Sequence, residues 1–227
     1  MRRERWHDHD LLNRRLPARM THAPSPTRPA AAHAARLACA LGLLALASSA
    51  AAHTTDASGG GFVAGFLHPL QGSDHLLAML AVGIWGAVLG APLLWALPVV
   101  FPLLMVLGSV LGIAGVPVPF VEVGIALSVL LLGAVIAAGW RAPVAVAIAI
   151  VAFFGALHGY AHGAELPEAA SPAAHATGFV LSTGLLHLGG IALGELRRLP
   201  RGMLLVRLGG AAIAATGLWM LVERLAG

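Results

Sequence analysis

Charge is scarce in this chain. Only 11% of its 227 residues are Asp, Glu, Lys or Arg, against about a quarter in ordinary soluble domains, and lysine is missing altogether. So little charge excludes the solvated surface of a globular domain. A single cysteine, Cys39, excludes a disulfide framework. Its setting also excludes a lipid anchor, because Arg36 stands where a lipobox needs an aliphatic residue and the apolar run follows the cysteine. No Gly-rich phosphate-binding motif is present, so an ATP-driven step would need another subunit. What abounds is hydrocarbon. Hydrophobic residues make up 58% of the chain and the mean hydropathy is +0.84. They fall in successive stretches near the roughly 20 residues that a bilayer core requires. The composition is that of a membrane protein.

The formal charge of +4 belongs to one end. Eight of the fourteen arginines (2, 3, 5, 14, 15, 19, 28 and 36) precede Leu37 against three acids, leaving +5 there and −1 over the rest. The basic balance is therefore a leader's, and nucleic-acid binding finds no support. Residues 37–47 form a short apolar run with a basic flank and a small-residue exit, Ser48 to Ala52. That pattern describes a cleaved signal peptide rather than a span, with an uncleaved signal anchor as the alternative. Residues 1–52 are assigned to leader and signal peptide, with Met20 a candidate start, and residues 53–227 to the membrane domain. Cleavage after Ala52 leaves His53 first, offering amine and imidazole together; cleavage after Ala50 leaves it third, a geometry that suits Ni²⁺ or Cu²⁺. The plain alternative is a residue next to a permissive cleavage site.

Beyond Gly59-Gly60-Gly61, six hydrophobic blocks are expected near 62–90, 93–113, 120–139, 142–162, 174–194 and 203–223. Gly and Pro mark the joints between them. The predicted fold is an all-α, polytopic bundle of six transmembrane helices after the signal peptide. With the mature N-terminus outside, Arg141, Arg197, Arg198, Arg201 and Arg207 fall on the cytoplasmic side, while residues 114–119 and 163–173 carry no Lys or Arg. That asymmetry obeys the positive-inside rule for a bacterial inner membrane. The first block is too long for a simple span and contains His68-Pro69 and Gly72. Proline removes a backbone donor, so the first helix is expected to break at this His-Pro motif, near 68–73. Broken helices commonly build transporter sites.

An ionisable side chain in a bilayer costs several kcal/mol unless paired or hydrated, and is a functional hypothesis by default. The first cluster is His68-Pro69-Leu70-Gln71-Gly72-Ser73-Asp74-His75. A turn at Pro69 and Gly72 can fold His68 back towards Asp74 and His75, a donor set that suits Ni, Co, Cu or Zn. A helix cap at Ser73 or Asp74 accounts for the acid but not for a histidine on each side. In the second cluster His158 and His162 stand at i,i+4 with Glu165 three further on, on one helical face. The plain alternative is a polar patch at a membrane exit. His187 lies alone, about thirteen residues into the fifth block. It reads either as a second station further inward or as an interhelical hydrogen-bonder. Glu122 is accounted for by the helix dipole at the start of the third block, though it sits on the outer side with both clusters. Glu168 and His175 read as outer-loop residues. Trp85, Trp95, Trp140 and Trp219 read as interface anchors or packing.

The stretch His68-Pro-Leu-Gln-Gly-Ser-Asp74-His75, followed by Leu-Leu-Ala-Met-Leu-Ala-Val-Gly-Ile-Trp, strongly resembles the HupE/UreJ family of nickel or cobalt permeases and hydrogenase or urease accessory proteins. Leu157-His158-Gly-Tyr-Ala-His162-Gly-Ala-Glu165 and Thr177-Gly-Phe-Val-Leu-Ser-Thr-Gly-Leu-Leu-His187 look like two further signatures of that family. The likeness covers about residues 50 to 225. It implies uptake of scarce Ni²⁺ or Co²⁺ as transported substrate, with no organic cofactor. By that resemblance His68, Asp74 and His75 are the principal metal residues, supported by His158, His162, Glu165 and His187.

The expected function is thus a permease, not an enzyme, that brings a divalent transition metal across the inner membrane for urease or hydrogenase maturation. Its expected partners are the ion and the lipid bilayer, with an indirect link to maturation proteins; an oligomer is compatible with the sequence. Two other classes fit the same residues. One is an intramembrane zinc hydrolase with Glu165 as general base, assisted by Ser73 or Ser182. The other is a metal-binding accessory protein without transport.

Overall fold

The computed structural model describes residues 61–165 and 171–226, and every regular element among them is helical. Helix α1 (Phe62–Gln71) and α2 (Ser73–Leu89) come from the first hydrophobic block. They are followed by α3 (Leu93–Ile113), α4 (Val121–Ala138), α5 (Val144–Ala164), α6 (Pro172–Gly194) and α7 (Gly202–Ala226), with a short 3₁₀ turn at Glu195–Arg198. Backbone groups in hydrocarbon must be satisfied internally, and uninterrupted apolar runs meet that demand as helices. The helices α3, α4, α5 and α7, and α6 continued through Arg198, are each long and apolar enough to cross a membrane; the α1–α2 pair makes a sixth crossing if counted as one. The chain is a multi-pass membrane protein.

The expected break occurs, and its position is Gly72. One extended residue there (φ −95°, ψ 116°) turns the chain by 84° between α1 and α2. His68 and Pro69 stay inside the last turns of α1. Pro69 has no N–H, so the Gly65 carbonyl four residues earlier loses its intrahelical donor.

Helix α2 is the centre of the bundle. Ala78, Met79, Ala81, Val82 and Trp85 are fully buried, and α3, α4, α6 and α7 all pack against it. The Trp85 indole N–H donates to the Trp140 carbonyl at 3.3 Å, so this tryptophan serves packing. Trp95 and Trp219 point outward, as interface anchors do. Around α2, glycines bring backbones together. On α5, a Cβ at Gly159 would fall on the Met105 carbonyl of α3, and one at Gly163 on that of Ser109. From the other side, Gly108 meets Ala156 and Gly112 meets Tyr160. Lipid tails are as apolar as leucine, so close van der Waals packing through small residues holds such helices together. Gly83 of α2 meets the His187 carbonyl of α6, and Gly65 of α1 that of His175. These contacts set α1, α2, α3, α5 and α6 around one polar interior, while Leu103, Val106, Leu204, Leu205 and Leu208 face outward.

Candidate functional site

All six histidines of the described residues lie in that interior. His68 closes α1, His75 opens α2, His158 and His162 occupy the last turns of α5, and His175 and His187 lie on α6. Their rings form a file. From His175 to His68 the centroids are 5.8 Å apart, from His68 to His162 4.7 Å, from His162 to His75 4.2 Å and from His75 to His158 4.5 Å. The i,i+4 spacing on α5 stacks His158 and His162 on one face, and the turn at Gly72 brings His68 and His75 to that face from two directions. Beyond His158 the file meets Phe101 of α3, whose centroid is 5.5 Å from both His158 and His187.

Neighbouring oxygens fix two of the tautomers. Asp74 Oδ1 accepts the His75 backbone N–H at 2.8 Å and the ring Nδ1–H at 2.9 Å. A carboxylate only accepts, so Nδ1 carries a proton, and in the neutral ring the lone pair is on Nε2. Ser128 Oγ on α4 donates its single hydrogen to the Ile125 carbonyl at 2.6 Å. Its contact with His158 Nε2, 2.8 Å, is therefore N–H to oxygen, and the lone pair of His158 is on Nδ1. Both lone-pair nitrogens, His75 Nε2 and His158 Nδ1, are buried without a hydrogen-bond partner, as are both nitrogens of His162. Leaving a buried polar group unpaired costs about 1–3 kcal/mol. An acceptor of lone pairs, such as a cation, removes that cost. Such oxygens recur in metal sites, where a carboxylate or other acceptor on one imidazole nitrogen orients the other towards the ion. Among the described residues no three His, Cys, Asp or Glu side chains are already arranged to hold an ion. The rings are gathered; a coordination shell is not yet closed.

Residues 41–220 match the family described as HupE / UreJ protein. The chain belongs to the HupE/UreJ family. A curated relative, Protein HupE of Rhizobium leguminosarum bv. viciae, is 41% identical over 182 residues, which are 80% of this chain and 95% of that relative. No solved structure matches.

In this HupE/UreJ family member the two motif clusters thus meet, with His68, Asp74, His75, His158 and His162 within one group. Glu165 caps the C-terminal end of α5 and is exposed. Glu122 does not join the histidines: its carboxylate pairs with Arg224 at 3.0 Å. It lines, with Ser73, Asp74, Glu223 and Arg224, an outward cavity of about 330 Å³ whose wall reaches the Asp74 side chain. His53 and Glu168 lie outside the described residues. His175, expected in the outer loop, belongs to the first turn of α6 beside His68. Ser128 was not singled out by the sequence, since a serine in an apolar helix ordinarily bonds its own backbone; only the fold puts it next to His158. Phe179, whose ring centroid is 4.3 Å from that of His162, stood within the third signature, but nothing there pointed to a contact with the histidines.

Proposed function

We propose that this HupE/UreJ family member takes up a divalent transition-metal ion, Ni²⁺ or Co²⁺, across the inner membrane to supply hydrogenase or urease maturation. The observation that carries the reading is the pair of buried imidazoles, His75 and His158, each locked by an oxygen on one nitrogen and left unpartnered on the other, with bare His162 beside them. Imidazole nitrogen suits nickel, cobalt, copper and zinc, whereas magnesium and calcium prefer oxygen. Asp74 supplies negative charge at the boundary between cavity and histidines.

A hydrated ion enters from the periplasmic side through the cavity that Asp74, Glu122 and Glu223 border. It then exchanges water for His75, His158 and His162, with His68 closing from α1. Gly72 separates His68 from His75, and rotation about that single residue tightens the loose group around the ion. Transport proper follows when the opposite side opens.

The test is ⁶³Ni²⁺ accumulation by cells that express wild type, His75→Ala or His162→Ala, with Co²⁺, Cu²⁺ and Zn²⁺ as competitors. Saturable uptake by wild type and its loss in both variants is the expected result. Unchanged accumulation in both variants overturns the site, and metal binding without flux in proteoliposomes assigns an accessory role instead.

A further inference from the structure

Three polar atoms lie past the end of the histidine file, and the outer group leaves them unused. His187 is 1% exposed and Thr183 fully buried. Both ring nitrogens of His187 and the hydroxyl of Thr183 have no hydrogen-bond partner. A buried threonine in a helix ordinarily bonds the carbonyl one turn earlier; here it does not. The two residues are four apart on α6, so their side chains project from one face. His187 follows His175 by twelve residues, about 18 Å along the helix.

The opposing helix offers an oxygen at the same level. In α3, Pro102 has no N–H, so the carbonyl of Pro98, four residues earlier, loses the donor that would occupy it. That carbonyl lies beside the His187 ring, near enough to attract its N–H but outside hydrogen-bond geometry. A proline pair within a membrane helix is tolerated where the freed carbonyls find other uses. Between this group and the outer one sits Phe101, fully buried, one residue before Pro102 and in contact with both His158 and His187.

We propose that His187, Thr183 and the Pro98 carbonyl form a second, inner station for the transported cation, divided from the outer histidine group by the Phe101 ring. The inference rests on the transport reading above and adds a step to it. The donors are one imidazole nitrogen and two neutral oxygens, with no carboxylate. Such a set holds a divalent transition metal more weakly than the Asp74-backed outer group, and weak binding at the exit is what lets an ion leave. The ion passes Phe101, rests at His187 and proceeds down α6 towards the cytoplasmic side.

Two measurements on purified full-length protein separate the stations. Co²⁺ titration, followed by visible absorption, reads the tight outer site. Flux of ⁶³Ni²⁺ into proteoliposomes reads passage. His187→Ala is expected to keep the tight Co²⁺ affinity within about twofold and to lose at least tenfold in flux. Thr183→Val, which keeps the shape and removes the hydroxyl, is expected to lose severalfold in flux with the same Co²⁺ affinity. Retained Co²⁺ binding shows that both variants are folded. Wild-type flux in both variants overturns the inner station and leaves the outer site standing. Loss of tight Co²⁺ binding in His187→Ala overturns it too, because His187 is then part of the outer site or of the scaffold. If wild type neither binds Co²⁺ nor passes ⁶³Ni²⁺, the transport reading itself falls, and the station with it.

Discussion

The outer and inner ends of the polar interior are built differently. At the outer end, two of the imidazoles are held from behind, His75 by the Asp74 carboxylate and His158 by the Ser128 hydroxyl. At the inner end His187 has only the Pro98 carbonyl beside it, and no contact of hydrogen-bond geometry on either nitrogen. A held imidazole keeps its lone pair aimed and loses little entropy on binding; a free one binds loosely and lets go. Under the proposed function, the contrast teaches that the oxygens behind the rings, more than the number of histidines, would divide capture from release.

The comparison breaks most completely if the outer rings themselves prove dispensable. His162→Ala and His75→Ala are each expected to lower ⁶³Ni²⁺ uptake by about 100-fold or more, since each removes a buried nitrogen from the centre of the file. A smaller effect tests the support behind the ring. Asp74→Asn retains the shape but loses the charged acceptor, and outer-shell changes of this kind cost about 10–100-fold in metal affinity; Co²⁺ titration reads the loss. Ser128→Ala removes the oxygen that fixes the His158 tautomer, with an expected loss near the lower end of that range, about tenfold, and an intact fold. Smallest is the effect of acid. Protons compete with the ion for the same lone pairs, so uptake falls severalfold as the pH is lowered from neutral into the acid range. Raising the metal concentration restores it. Recovery that fails at saturating metal would place the pH effect outside the binding step.

Much of this was legible before any coordinates. Long apolar runs have one satisfied backbone state in lipid, so the helices and most of their joints followed from composition and from Gly and Pro. The i,i+4 pair His158 and His162 followed from helical period alone. The Gly72 turn was legible as a break but not as an 84° angle, because a local sequence names a weak point and packing against α6 sets the direction. Glu122 shows the limit of reasoning along one chain segment. Its helix-dipole role on α4 was visible, whereas its partner Arg224 stands near the far end of the sequence. Ser128 and Phe101 were illegible for a similar reason: serine and phenylalanine in an apolar helix have many uses, and only the packing of α2, α3 and α4 against the histidines selects one.

X-ray absorption at the nickel K-edge of protein loaded with one equivalent of Ni²⁺ tests the central claim most directly. Two or more imidazole ligands, recognised by their outer-shell multiple scattering and reduced in number by His162→Ala, are the predicted result. An all-oxygen shell without imidazole scattering, the same in wild type and variant, would contradict the account.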